Sequence, residues 1–263
     1  MTTTPAQIEE VRAFWDRRPC NLRHSPAPVG SLQWSQEVTG RKYFVEPHIP
    51  GFADFERWRG KRVLEIGCGI GTDTLQFLKH GAHIDASDLS SESLRILKLR
   101  LQSHLECDDP AERIADEPNL HCCNAEEWLP AGPYDLIYSF GVLHHTPHPE
   151  VAIANIRDRL APGGEVRLML YARWSLKNLM GEQPEAQAGC TIARTYTAQT
   201  VRQLLEGLQV TSIKKTHIFP WRIEDYIQYR YVLRPAYRWM PRWLFSALER
   251  LLGWHLLIVA RKA

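Results

Sequence analysis

The chain has 263 residues, with 32 Lys and Arg against 30 Asp and Glu, a net charge of +2, 44% hydrophobic residues and 24% charged residues. Length and composition suit one decorated globular domain with a real core, and exclude a disordered or fibrous chain. The near-neutral balance lacks the broad attractive field of a nucleic-acid binder.

Met1 to Pro5 contains no apolar run, so no signal peptide is expected. Residues 4–16 are predicted to form a helix: Thr4 as N-cap, Pro5 at the first helical position, Gln7 completing a capping box, and Ile8, Val11 and Trp15 on one face. Residues 19–35, with Pro19, Pro26, Pro28 and Gly30, are expected to be loop. Residues 41–55 mix aromatics with Pro47, Pro50 and Gly51, and are expected to be a mobile or irregular cap.

From Lys61 apolar runs alternate with helical stretches. Strands are predicted at 62–66, 83–87, 119–123, 134–138 and 165–170, and helices at 72–80, 91–105 and 149–160. Such alternation implies a parallel sheet wound with helices on both faces. The acidic stretch 108–118 is expected to be a surface insertion. A helix to about Leu208, a strand over 210–219 and a last strand over 254–261 follow, and the apolar run Trp254 to Ala260 is too short to span a bilayer.

The aromatic and arginine-rich segment between Phe219 and Trp254 admits three uses: a substrate cap or subunit contact, a membrane-surface element, or a base-stacking surface. Its apolar positions keep no single helical face to the eye and the net charge is near zero, which favours the cap or subunit contact, and with it a possible homo-oligomer. Cys20, Cys68, Cys107, Cys122, Cys123 and Cys190 form no C-x-x-C pair, so neither zinc site nor disulfide framework is expected, and free thiols fit a cytoplasmic location.

The strongest signal is Val63-Leu-Glu65-Ile-Gly67-Cys68-Gly69-Ile-Gly71-Thr-Asp73, a strand entering a glycine turn before a helix. Glycines let the backbone turn sharply and approach a ligand, and the helix N-terminus offers free N–H groups. The spacing is G-x-G-x-G, not the G-x-G-x-x-G of a dinucleotide site. Asp88 follows Gly67 by twenty-one residues, where a carboxylate ending a second strand holds two ribose hydroxyls. For Asp88 the plainer use is a helix N-cap, which Ser90 can supply instead.

With these blocks, and with Asn124-Ala125-Glu126, Tyr134-Asp-Leu-Ile-Tyr-Ser139-Phe140-Gly-Val-Leu-His144-His145 and Leu160-Ala-Pro-Gly-Gly-Glu165 in order, residues 60–171 resemble the class I S-adenosylmethionine (SAM)-dependent methyltransferases. The last blocks resemble the small-molecule branch that includes quinone-type C-methyltransferases. The resemblance implies a doubly wound, mostly parallel seven-stranded Rossmann-like α/β sheet with an antiparallel last strand. Added to it are an N-terminal helical cap, residues 1–60, and an aromatic-rich insertion, 219–253, within a SAM-binding domain, 61–263.

The resemblance also implies a cofactor set: Glu65, Gly67, Cys68, Gly69, Gly71 and Asp73 around the turn, Asp88 on the ribose, and Leu89 with Asn124, Ala125 and Glu126 near the adenine. Ser139 and Phe140 belong near the sulfonium. His144 and His145 are candidate general bases, with packing or turn-capping as the plainer use. Tyr171 is a candidate for cation–π contact with the sulfonium, with core packing as the plainer use.

The fourth block is not the Asn/Asp-Pro-Pro-Tyr/Phe pattern of base methylation, and no acidic metal cluster follows that strand, so no metal is expected. Methyl transfer to a small molecule is the reading carried forward. A SAM-consuming cyclase on the same fold, releasing methylthioadenosine, and a non-catalytic SAM-binding module remain alternatives. Residues 1–55 and 219–254 are expected to close over the pocket together.

Overall fold

A computed structural model of the chain describes residues 5–181, 190 and 192–263. Seven strands form one sheet: β1 (Arg62–Ile66), β2 (His83–Asp88), β3 (Asn119–Cys122), β4 (Tyr134–Phe140), β5 (Leu160–Tyr171), β6 (Gln209–Thr216) and β7 (His255–Arg261). Their order is β3-β2-β1-β4-β5-β7-β6. β7 runs antiparallel to both its neighbours, and the first five strands pair in parallel. The winding direction reverses between β1 and β4, which opens a crevice at their carboxyl ends, the usual place for a ligand in such sheets.

The alternation of strand side chains divides the core in two. Leu64, Ile66, Ile137, Val166, Leu168 and Ile258 meet Ala152, Ile153 and Ile156 of the helix Pro149–Arg159 on one face. Val63, Leu136, Tyr138, Met169 and Leu257 meet Phe52, Phe55, Trp58 and Phe77 on the other. The central strands β1, β4 and β5 are largely buried on both faces because both are covered, which is why they read as near-continuous apolar runs, whereas β3 and β6 stay partly exposed.

The N-terminal third departs from expectation. The first helix, α1 (Pro5–Arg17), is present, while its expected cap Thr4 lies outside the described residues. Residues 19–31 are loop apart from one short turn, Leu22–His24, but 32–35 and most of 41–55 are helical, in α2 (Leu32–Val45) and α3 (His48–Ala53). Ser31 caps α2 by accepting from the Trp34 N–H, and Trp34, Val38, Arg41 and Val45 are buried at helical spacing. The pattern was hidden because one buried position is an arginine. Its guanidinium lies over the rings of Tyr226 (4.2 Å) and Tyr229 (4.4 Å), contacts that come from the other end of the chain.

The segment after β6 is also more ordered than expected. Within it lie three helices, Ile223–Tyr226, Pro235–Arg238 and Arg242–Leu252. In the last, Phe245, Leu248 and Leu252 recur at helical spacing and are half-buried where the helix packs on β6, so an apolar face does exist. Trp243 and Leu251 point outward, 72% and 68% exposed. No helix among the described residues is long and apolar enough to cross a membrane.

Candidate functional site

The site is built first from the turn after β1. Gly67, Gly69 and Gly71 all have left-handed backbones, φ 74°, 55° and 76°. A Cβ on Gly67 would strike Val142, and one on Gly71 would strike Leu97, so these two glycines serve packing. A Cβ on Gly69 would meet nothing within 4 Å. Gly69 is therefore the glycine that leaves its space to the cavity, and the turn feeds into α4 (Thr72–Lys79), whose N-terminus follows at once.

Asp88, at the end of β2, is pinned by two backbone donors: Gly69 N–H at 2.7 Å and Ser90 N–H at 2.8 Å. Capping of α5 (Ser91–Leu105) falls to Ser90, which accepts from Ser93 N–H. The Asp88 carboxylate thus keeps lone pairs for the cavity that it borders. Burial pushes it up to about 6, against the pull of the Ser90 and Gly69 N–H groups.

The cavity, about 230 Å³, lies over the carboxyl ends of β1, β2, β4 and β5. Its wall includes Gly67, Cys68, Gly69, Asp88, Leu89, Asn124, Ala125, Phe140, His145 and Tyr171 from the expected set. Ile8, Val11 and Trp15 of α1 close one side. Lys42, Glu46, Met169 and His255 complete the far side, and none of these four was marked by motif.

Other expected residues stand back from the wall. Asp73 is 1% exposed and braces α2 onto α4, receiving Lys42 Nζ, the Tyr43 hydroxyl and the Tyr138 hydroxyl, each at 2.9 Å. Glu65 accepts from the Thr74 hydroxyl beneath the turn, and burial with the nearby Asp73 charge raises its pKa. Gly71 packs against Leu97, Ser139 donates to the Ile66 carbonyl at 3.0 Å, and Glu126 accepts from His148 N–H at 2.7 Å. Their contribution is to hold the wall. Asn124 is at the wall and one of its oxygen lone pairs is taken by Glu126 N–H.

The two adjacent histidines separate clearly. His144 is fully buried behind the wall, tilted 35° against Tyr171 with ring centroids 3.5 Å apart, and neither of its ring nitrogens has a hydrogen-bond partner among the described residues. His145 reaches the cavity and stands edge-on to Trp15. Its Nδ1 lies 2.6 Å from the Ile192 carbonyl, which places the proton there and leaves Nε2 as the basic nitrogen. Burial lowers its pKa, so the ring is neutral at pH 7, the form that a base requires. Tyr171 also packs on Trp254, at 4.1 Å, so it is both a packed core ring and part of the wall.

The expected double lid is corrected. Among the described residues, none from 219–254 lines the cavity. Trp221 and Tyr231 instead pack on Phe44, and Tyr226 lies on Arg41 and meets His24. That segment backs α2, which carries Lys42 to the cavity, with Glu46 directly after it.

At the far wall, His255 meets His48 and His217, which stand behind it. Burial lowers His48 to about 4 and His217 to about 3, and lowers His255 well below its ordinary value. No motif pointed to them: they are separated by 169 (217 − 48) and 38 (255 − 217) residues in the chain.

A family model described as a methyltransferase domain matches residues 41–214. The ubiquinone biosynthesis O-methyltransferase of Aromatoleum aromaticum is 32% identical over 109 residues, covering 41% of this chain and 42% of that protein. The Escherichia coli protein of the same name is 30% identical over 108 residues, with 41% of each covered. The chain thus matches about two fifths of the length of these curated relatives.

Among solved structures, magnesium protoporphyrin IX methyltransferase of Synechocystis PCC 6803 with bound SAM superposes with a TM-score of 0.60 at 14% identity, covering 100% of both chains. The N-methyltransferase NodS of Bradyrhizobium japonicum WM9 in complex with S-adenosylhomocysteine gives 0.57 at 16%, covering 96% of this chain and 98% of that one. These likenesses are of fold.

Proposed function

The chain belongs to the methyltransferase-domain family, and on that premise we propose that it transfers the methyl group of SAM to a small-molecule acceptor. One observation carries the reading: Asp88 is fixed at the cavity edge by the Gly69 and Ser90 N–H groups, beside a glycine that leaves its Cβ space open. That is a cradle for a ribose and a short polar chain. Asp88 would hold the ribose hydroxyls, Leu89, Asn124 and Ala125 the adenine, and Gly67, Cys68 and Gly69 the methionine portion. Bound there, SAM supplies an electrophilic methyl on a sulfonium.

The protein's part is to position the acceptor and exclude water. Trp15, Val11 and Ile8 cover one side, Phe140 lines the cavity with an aromatic ring, and Tyr171, packed on His144 and Trp254, borders it. His145 is the candidate base at the wall; its Nε2 is enclosed and without a partner among the described residues, so a turn of the ring would have to bring it to the acceptor. Acceptors in the class suggested by the relatives' names, ring compounds such as quinone precursors and porphyrins, suit an apolar and aromatic wall. The division into a cap, residues 1–60, and an α/β unit, 61–263, is part of this proposal. So is self-association through the exposed face of the helix Arg242–Leu252, which sedimentation velocity measures. The six free cysteines support a cytoplasmic setting.

The test is product analysis with SAM and a panel of phenolic, quinol and amine acceptors. Methylated acceptor with S-adenosylhomocysteine is expected. Methylthioadenosine as the by-product would show cyclisation instead, and SAM binding without any turnover would show a binding module.

Asp88 also gives a pH prediction. The ribose hydroxyls need the charged carboxylate, whose pKa in the free protein is about 6. As pH falls through that value protons compete with ligand, so SAM affinity is expected to fall about tenfold between pH 7.5 and pH 5. Asp88→Asn is expected to weaken binding by about 1.5–3 kcal/mol at pH 7.5 and to flatten the profile. For stability the sign is opposite. A carboxyl raised above its unfolded value of 3.8 penalises the fold above about 6, and the penalty fades as pH falls toward 3.8. A calorimetric profile with unchanged slope in Asp88→Asn would remove Asp88 from the site.

A further inference from the structure

We propose that His48, His217 and His255 form a binding site for one divalent transition-metal ion on the far wall of the cavity. One ligand nitrogen from each ring lies within 4.8 Å of the others. His48 Nε2 is 3.0 Å from His255 Nδ1. The nitrogens of a tetrahedral zinc site, at metal distances near 2.0–2.1 Å, stand roughly 3.3 Å apart, so small ring rotations complete the set.

The three rings come from rigid elements: the first residue of α3, the residue after β6 and the first residue of β7. His255 and His217 are 4% and 9% exposed. His217 also holds a left-handed backbone, φ 72°, with its carbonyl accepting from Trp254 N–H. Histidine is among the residues that accept this backbone, and the turn sets its ring beside His255, with centroids 4.5 Å apart.

A fourth donor stands beside the rings. Glu46 Oε1 is 3.7 Å from His255 Nδ1, and these two residues also line the cavity. An ion held by the three imidazoles would therefore face both a carboxylate and the cavity, the arrangement of an open rather than a closed metal site. Of the cations nearby, Lys42 is paired with Asp73 and Lys177 lies over the Trp254 ring. Three imidazoles with a carboxylate suit zinc, cobalt, nickel or ferrous iron better than magnesium or calcium, which prefer oxygen donors. The proposal departs from the expectation of no metal, which was drawn from the missing acidic cluster: the donors here are nitrogens gathered from three distant segments.

Ion binding here is independent of methyl transfer, and the test uses metal alone. The full chain, freed of metal by chelation, is titrated with Zn²⁺ by calorimetry and with Co²⁺ by visible absorption. One equivalent and the intense cobalt bands of a site with fewer than six ligands are expected. His255→Ala should weaken zinc binding by about a hundredfold or more, as loss of one of three protein ligands does. His217→Asn tests the same point with a residue that tolerates the left-handed backbone. Melting and circular dichroism of the same samples report whether the variants are folded. Absence of a stoichiometric ion in the wild type, or wild-type affinity in folded His217→Asn, would overturn the site.

Discussion

Replacing Arg100 with alanine is expected to lower the unfolding free energy by about 3–5 kcal/mol, the range for truncating a large buried side chain and orphaning its partners. Arg100 lies in α5 and is fully buried. Its Nε donates to Ser35 Oγ at 2.7 Å. Nη1 reaches the Ile70 carbonyl at 3.2 Å and Thr72 Oγ1 at 2.9 Å. Nη2 donates to the Ser35 carbonyl at 2.9 Å and to Thr39 Oγ1. The full donor capacity of a guanidinium is matched by neutral oxygens.

The consequence is mechanical. One side chain ties α2, which bears Lys42, to the glycine turn that bears Gly69. Burial lowers the guanidinium pKa only to about 10, so it is charged at pH 7 and each bond is charge-assisted. Lysine has three donors on a flexible stem and does not replace a fork of five, so Arg100→Lys should recover little of the loss. Chemical denaturation measures both variants. A midpoint for Arg100→Ala within error of the wild type would show that this network contributes nothing net. SAM affinity should fall as well, because the Ile70 carbonyl and Thr72 frame the turn.

Deleting residues 1–17 is expected to leave a folded, SAM-binding protein whose turnover falls by about a hundredfold or more, the scale of losing acceptor positioning and water exclusion. The deletion removes Ile8, Val11 and Trp15 from the cavity wall and leaves Asp88, Gly69 and Asn124 in place. It also removes Asp16, which accepts from the Ser90 hydroxyl and Glu92 N–H at the start of α5, so a modest loss of SAM affinity is expected too.

The end point of the deletion matters. Removing residues 1–40 would take Ser35 and Thr39 away from Arg100, together with fully buried Trp34 and Val38, and would unfold the site for reasons unrelated to the lid. Calorimetry with SAM and product quantification separate the two effects. Full turnover by the shorter chain would show that the acceptor is enclosed by other residues.

The strands from β1 to β5 and the turn between β1 and α4 were legible because their causes are local. The central strands β1, β4 and β5 are covered on both faces and so read as apolar runs, a turn with three left-handed residues calls for glycine, and a carboxylate ending the next strand falls at a set distance along the chain. Gly69 and Asp88 could therefore be paired from residue order, while Asn124 and Phe140 came from the family resemblance; all four border the cavity. Ser90 as the cap of α5 could be read for the same reason, since its partner lies three residues away.

What the residue order left open was settled by contacts between distant segments. Asp73 sits in the motif, yet Lys42, Tyr43 and Tyr138 claim its carboxylate, and so it supports the site from behind. His144 and His145 are neighbours with the same side chain, and only the packing of α1 and β5 decides that one is enclosed against Tyr171 while the other faces the cavity. Arg41 and Arg100 disguise the buried face of α2 and the core of α5, because a charge is tolerated inside only when remote groups satisfy it. His48, His217 and His255 have no periodicity to betray them. Periodicity reports which face of an element is buried; it carries no information about which faces from elsewhere in the chain will meet it, and that is where the far wall of this cavity was decided.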